Sequence, residues 1–153
     1  MIEEILGRMD RRWSYLTLLC WASEAAAAAL TRGKRVERAQ ITAMRLLIGD
    51  RPSLEDIDRL YAFVLRQVGR GLMNREFAYR VLRTIRGLER RASGANLLDR
   101  VGIVVGEYIG LISWAYDAMN EGMRRGLISR DSVREIADRG EGFLELWREV
   151  SEE

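Results

Sequence analysis

The chain predicts an all-α fold: a bundle of five or six helices built from antiparallel helical hairpins around one long, apolar, glycine-rich helix. Three observations carry this. No segment sustains the period-two alternation of a half-buried strand. Apolar residues recur instead at three- and four-residue spacing along most of the 153 residues. Only one proline interrupts that pattern. With 48% hydrophobic and 31% charged residues the composition suits a packed core, and the length suits one helical domain over residues 1–153.

The first helix is expected over about residues 2–30. Its stretch 13–31 carries only Glu24 as a charge and is long enough to cross a bilayer. Six of those 19 residues are alanine, however, and Glu24 sits among them with Ser14, Thr17 and Ser23, so a buried helix without a membrane partner is expected. The N-terminus, M-I-E-E-I, lacks the basic-then-apolar order of a signal peptide. A second helix spans about 35–48. The turn G-D-R-P-S at 49–53 starts a third, which reaches about residue 70; Ser53 and Asp56 have the spacing of a capping box. The fourth runs over about 75–92 and is broken by S-G-A-N at 93–96. The fifth covers about 97–125 and the sixth about 130–150.

Two corners share a pattern, R-G-L-M-N-R-E at 70–76 and R-G-L-I-S-R-D at 125–131. In each, Gly71 or Gly126 takes the left-handed position that ends a helix, and Asn74 or Ser129 caps the next one. Met73 or Ile128, just before the cap, staples onto the new helix. The stretches barely match outside the corner, so shared corner chemistry rather than duplication explains them.

Function is approached first by exclusion. The chain has no histidine, which removes Ser-His and Cys-His dyads and His-containing metal sites. Cys20 is the single cysteine and cannot form an internal disulfide. No P-loop, dinucleotide fingerprint, C-x-x-C or calcium loop is present. No catalytic residue, metal or cofactor is therefore expected. Glu24 and Glu107 are carboxylates in apolar surroundings; each is expected to pair with an arginine or face a polar gap, and an acid–base role requires both in one pocket. Trp13, Trp21, Trp114 and Trp147 fall at helical spacing as core anchors.

Every basic residue except Lys34 is arginine. A GC-rich genome or a thermophile-like composition produces the same bias, so position rather than count must carry a functional expectation. The fourth helix supplies it. At about 100° per residue, Phe77, Ala78, Val81, Leu82, Ile85 and Leu88 share one side. Arg75, Arg80, Arg83, Arg86, Arg90 and Arg91 share the other, with Tyr79 among them. Six guanidinium groups along roughly 25 Å of helix repel one another unless an anion lies across them. A nucleic-acid backbone is such an anion, and six duplex phosphate contacts give a log–log salt slope of roughly −5. The plain alternative is a solvated face, or one paired with the acidic stretch 131–153.

Two further clusters extend the expected basic surface. Arg8, Arg11, Arg12 and Tyr15 share a face of the first helix, and Arg32, Lys34, Arg35 and Arg38 surround the first junction. In the fifth helix, Gly102, Gly106 and Gly110 form G-x-x-x-G-x-x-x-G on a helix that is apolar all round. Three glycines cost about 1 kcal/mol each relative to alanine. Close approach of another helix offsets that, with the alanine run at 25–29 as the internal partner or a second subunit as the alternative.

The expectation is a non-enzymatic structural subunit that binds nucleic-acid backbone, DNA or RNA, through arginine faces without reading sequence. It would be coat- or nucleocapsid-like, or a small helical subunit of a nucleoprotein complex, and a homo-oligomer or part of a larger assembly. It would sit inside the cell or a virion. The competing expectation is a helical protein–protein adaptor with no nucleic-acid role. An open arginine face over 75–91 favours the first, and one covered by the acidic helix favours the second.

Overall fold

The computed structural model describes residues 1–7 and 11–138, the side chains of 11–13 excepted. These residues form seven α-helices packed together and no strand: α1 (Ile2–Leu6), α2 (Arg11–Thr31), α3 (Arg38–Ile48), α4 (Leu54–Gly69), α5 (Arg75–Gly94), α6 (Val101–Arg124) and α7 (Arg130–Asp138). A 3₁₀ turn, Leu98–Arg100, leads into α6 where a continuous helix is expected from the sequence. The count exceeds five or six because the first predicted helix is divided. Gly7 adopts φ 66° and ends α1, its N–H bonding the Glu3 carbonyl. The end of the sixth predicted helix, and Trp147 with it, lies outside the described residues.

Local signals place the other boundaries. The Ser53 hydroxyl accepts from the Asp56 N–H at 3.2 Å, and the Asp56 carboxylate accepts from the Ser53 N–H at 3.0 Å, closing the capping box of α4. Ser53→Ala is expected to lower stability by about 1 kcal/mol, read as a shift in the urea midpoint at unchanged m. At the two matched corners Gly71 and Gly126 have φ 74° and 71°. The Leu72 N–H bonds the Gln67 carbonyl and the Leu127 N–H bonds the Gly122 carbonyl, satisfying carbonyls that a helix end otherwise leaves open. Asn74 Oδ1 accepts from the Phe77 N–H at 2.8 Å and Ser129 Oγ from the Ser132 N–H at 3.0 Å. The break after α5 differs in detail: helix continues through Gly94, and Asn96 takes the positive φ of 58°.

The most enclosed helix is α2, not α6. Ala22 and the alanines at 25–29 have no exposed surface, and α2 packs against α1, α5, α6 and α7. Small side chains permit that all-round contact. α6 buries Val104, Val105, Tyr108, Ile109, Ile112 and Tyr116 but leaves Ile103, Glu107, Trp114 and Ala118 exposed, so it is not apolar-buried on every side. Trp114 is 64% exposed and is no core anchor.

Gly102 and Gly106 do admit a close backbone, but the visitor is the turn between α3 and α4 rather than the alanine run. A methyl group on Gly102 would fall on the Pro52 carbonyl oxygen, and one on Gly106 would lie 2.8 Å from the Asp50 carbonyl oxygen. Gly110 has nothing within 4 Å of such a methyl.

Polar ties fix the helix ends that frame α5. The Asn74 side-chain amide donates to the Ala28 and Lys34 carbonyls at 3.2 and 3.1 Å, joining the start of α5 to the end of α2. The Tyr116 hydroxyl donates to the Val36 carbonyl at 2.9 Å. At the end of α6, Glu121 accepts from Arg124 and from Arg125, at 2.6 and 2.8 Å. The bonds from Arg124, then Arg125, hold its carboxyl down at about 2. A depressed carboxyl stabilises the fold at pH above its ordinary 4.5, and that contribution is lost as pH falls through about 2. A carbon-detected NMR titration should place the Glu121 midpoint near 2, and Arg124→Ala should move it toward 4.5.

Candidate nucleic-acid interface

α5 divides its residues as the spacing predicts. Phe77, Ala78, Val81, Ile85, Leu88 and Ala92 are buried, whereas Arg75, Tyr79, Arg83, Arg86, Arg90 and Arg91 are exposed. Asn74 anchors the helix at one end. At the other, Arg91 Nη1 donates to the Leu6 carbonyl at 3.1 Å. The arginine side therefore stands on a fixed support.

The six arginines are not equivalent. Arg80 is largely enclosed, bonding Glu76 at 2.9 Å and standing 3.9 Å from Glu24. It is an internal brace rather than part of an open face. Arg91 also packs over the Trp21 ring, 5.8 Å from its centroid. Arg75, Arg83, Arg86 and Arg90 meet no carboxylate at ion-pair distance among the described residues. Arg83 lies over the exposed ring of Tyr79, 5.8 Å from its centroid. The described part of the acidic C-terminal stretch does not reach these groups: Asp138 of α7 pairs with Arg32, which also faces Glu76 at 3.6 Å.

Tyr79, Arg83 and Gly87, four residues apart, form a crest with a cavity on each flank. Toward α4 lies a groove of about 670 Å³ floored by Leu65, Val68, Ala78 and Leu82 and rimmed by Arg75, Arg83, Arg86 and Arg90. Tyr61 closes its end, its hydroxyl donating to Glu89 at 2.9 Å; burial and then this bond push the phenol well above the ordinary tyrosine range. Toward α2 lies a more polar pocket of about 490 Å³, walled by Trp21, Tyr79, Arg83 and Arg91, with Glu24, Glu76, Arg80 and Thr84 inside. The Tyr108 hydroxyl, close to Thr84, Glu24 and Arg80, is fully buried and makes no hydrogen bond among the described residues. Burial raises it well above its usual range.

The predicted basic cluster at the first junction faces α6 instead of this surface. Arg35 donates to Asn120 at 2.8 Å and Arg38 pairs with Asp117 at 2.9 Å, so both brace the α2–α3 junction against α6. Arg8 and the side chains of Arg11, Arg12 and Trp13 lie outside the described residues. Tyr15 lines a separate groove with Leu19, Arg45, Glu107, Gly110 and Trp114. Glu24 and Glu107 thus line different cavities, which removes the arrangement an acid–base pair requires. Trp21 and Leu65 belong to the site and were not legible as such, because only tertiary packing brings them beside α5.

Among the described residues no helix is long and apolar enough to cross a membrane. No family model matches the chain, and no curated protein or solved structure does so either.

Proposed function

We propose that this chain is a non-enzymatic subunit that binds nucleic-acid backbone through α5 without reading sequence, as part of a packaging or scaffold assembly. One observation carries the reading: Arg75, Arg83, Arg86 and Arg90 stand open on one anchored helix with Tyr79 in their midst. Guanidinium groups that meet no acid among the described residues repel one another and gain most from a polyanion laid across them. Arginines on an open helix side reach phosphates, contacts that position a strand without reading its sequence.

Assembly has separate support. The α6 side that bears the exposed Ile103 and Trp114 also forms, through Gly110 and Trp114, a groove with Tyr15 and Arg45, apart from the cavities that flank the arginines.

The adaptor reading is favoured by a different feature. The α4–α5 groove is apolar and holds Leu65, 62% exposed, inside a rim of arginines, a shape that suits an acidic amphipathic helix. Binding to single-stranded and duplex oligonucleotides across a salt series separates the two. The nucleic-acid reading expects a log–log slope near −3 on single strands, from four arginines at about 0.7 each. No binding to any nucleic acid at low salt would sink it in favour of a protein partner.

A further inference from the structure

Resting on the nucleic-acid reading above, we infer that the ligand is a single strand, and that the pocket between α2 and α5 receives one of its bases unstacked, adding a base preference at that one position to backbone contacts that otherwise ignore sequence. The crest of Tyr79, Arg83 and Gly87 is one helix wide and has a cavity on either side. A single strand laid along such a crest keeps its phosphates on Arg83, Arg86 and Arg90 while its bases turn off into the flanks. A duplex holds its bases inside and can use only the arginines.

The α2-side pocket is built for a base. Trp21 and Tyr79 supply aromatic rings, and the Arg91 guanidinium packed over Trp21 supplies a second kind of stacking plane. Its volume of about 490 Å³ lies within the range of small-molecule sites. Gly87 contributes no side chain to the wall, and a methyl group there would meet nothing within 4 Å. Arg83 stands at the mouth, shared with the arginine crest, where the phosphate of an inserted nucleotide would lie.

The inner wall sets a preference. Glu24 and Glu76 present carboxylate oxygens, which accept hydrogen bonds and repel carbonyl oxygens. Arg80 reaches both and Arg32 also reaches Glu76, and a carboxylate has about four acceptor sites, so Glu76 keeps lone pairs beyond its two arginines. Cytosine, adenine and guanine offer an exocyclic amino group to such a wall. Thymine and uracil place a carbonyl oxygen where cytosine carries its amine. Cytosine strands are therefore favoured over thymine strands, two pyrimidines of similar size and stacking strength.

The test is fluorescence anisotropy of labelled oligo(dC), oligo(dT) and a duplex, each of about 12 nucleotides, at one salt concentration. The intact chain is compared with Tyr79→Ala, Trp21→Leu and Glu24→Gln. Single strands should bind about tenfold more tightly than the duplex, and oligo(dC) severalfold more tightly than oligo(dT). Tyr79→Ala and Trp21→Leu should bring single strands toward the duplex value while leaving the salt slope in place, and Glu24→Gln should narrow the gap between oligo(dC) and oligo(dT). Tyr79 is exposed, so its variant carries the test even where Trp21→Leu lowers stability.

Equal affinity for strand and duplex, or a strand preference untouched by both aromatic variants, would overturn the base pocket and leave backbone binding standing. Free cytidine monophosphate competing as well as oligo(dC) would overturn the strand in favour of a mononucleotide site. No binding to any form would overturn this inference together with the reading beneath it. Capture of an acidic amphipathic peptide in the same assay would then identify the groove as a protein site.

Discussion

Gly102→Ala is expected to lower stability by about 3 kcal/mol, the upper end of overpacking costs, while Gly110→Ala in the same helix raises it by up to about 1 kcal/mol. The two glycines share a sequence motif and differ only in what faces them. At Gly102 the added methyl meets the Pro52 carbonyl oxygen, a backbone atom and not the end of a flexible side chain. The turn cannot readily retreat. Gly49 at its start adopts φ 66° to end α3, Pro52 is buried, and Ser53 at its end is locked in the capping box of α4. Displacing Pro52 would disturb both helix ends. Gly106→Ala, 2.8 Å from the Asp50 carbonyl oxygen, should fall between, at about 1–3 kcal/mol. Gly110 faces open space, so alanine there gains helix propensity without a clash. Urea midpoints for the three variants check this. Similar midpoints for Gly102→Ala and Gly110→Ala would show that the turn does not press on α6.

The glycine motif also shows where sequence reasoning stops. Its spacing announces a close approach but not the visitor, because the partner turn lies about fifty residues away and nothing local couples the two. The same limit explains α6: apolar residues on every side of a helix do not say which side remains open, and Trp114 and Ile103 ended outside. Corners and caps were legible because each is a contact within a few residues: Ser53 with Asp56, Asn74 with Phe77, Ser129 with Ser132. Gly7 carried the same chemistry, but the expected first helix ran straight through it. In the site, the amphipathic pattern placed the arginines of α5 on the outer side correctly, since burial of Phe77, Val81, Ile85 and Leu88 dictates it. It did not separate Arg80 from its neighbours. Glu76, four residues earlier, was a local clue to that pairing, whereas Glu24 arrives from α2 only through packing.

That separation sets the second large effect. Arg83, Arg86 and Arg90 replaced together by alanine should reduce the single-strand salt slope from about −3 to about −1, because three of four phosphate contacts are lost at about 0.7 each. Circular dichroism melts of this variant should stay close to the parent, since none of the three arginines has an acidic partner among the described residues. Removing three like charges from one exposed helix side even relieves repulsion. Arg80→Ala should behave in the opposite way. It removes the cation shared by Glu24 and Glu76, with Arg32 still reaching Glu76, at a cost of about 1 kcal/mol, and leaves the slope almost unchanged. The pair of variants therefore distinguishes arginines that hold the protein together from arginines held ready for a ligand. If the triple variant binds with an unaltered slope, the phosphates lie elsewhere. If Arg80→Ala lowers the slope as much as any of the three, then Arg80 leaves its acids on binding, and the network around Glu24 opens when the strand arrives.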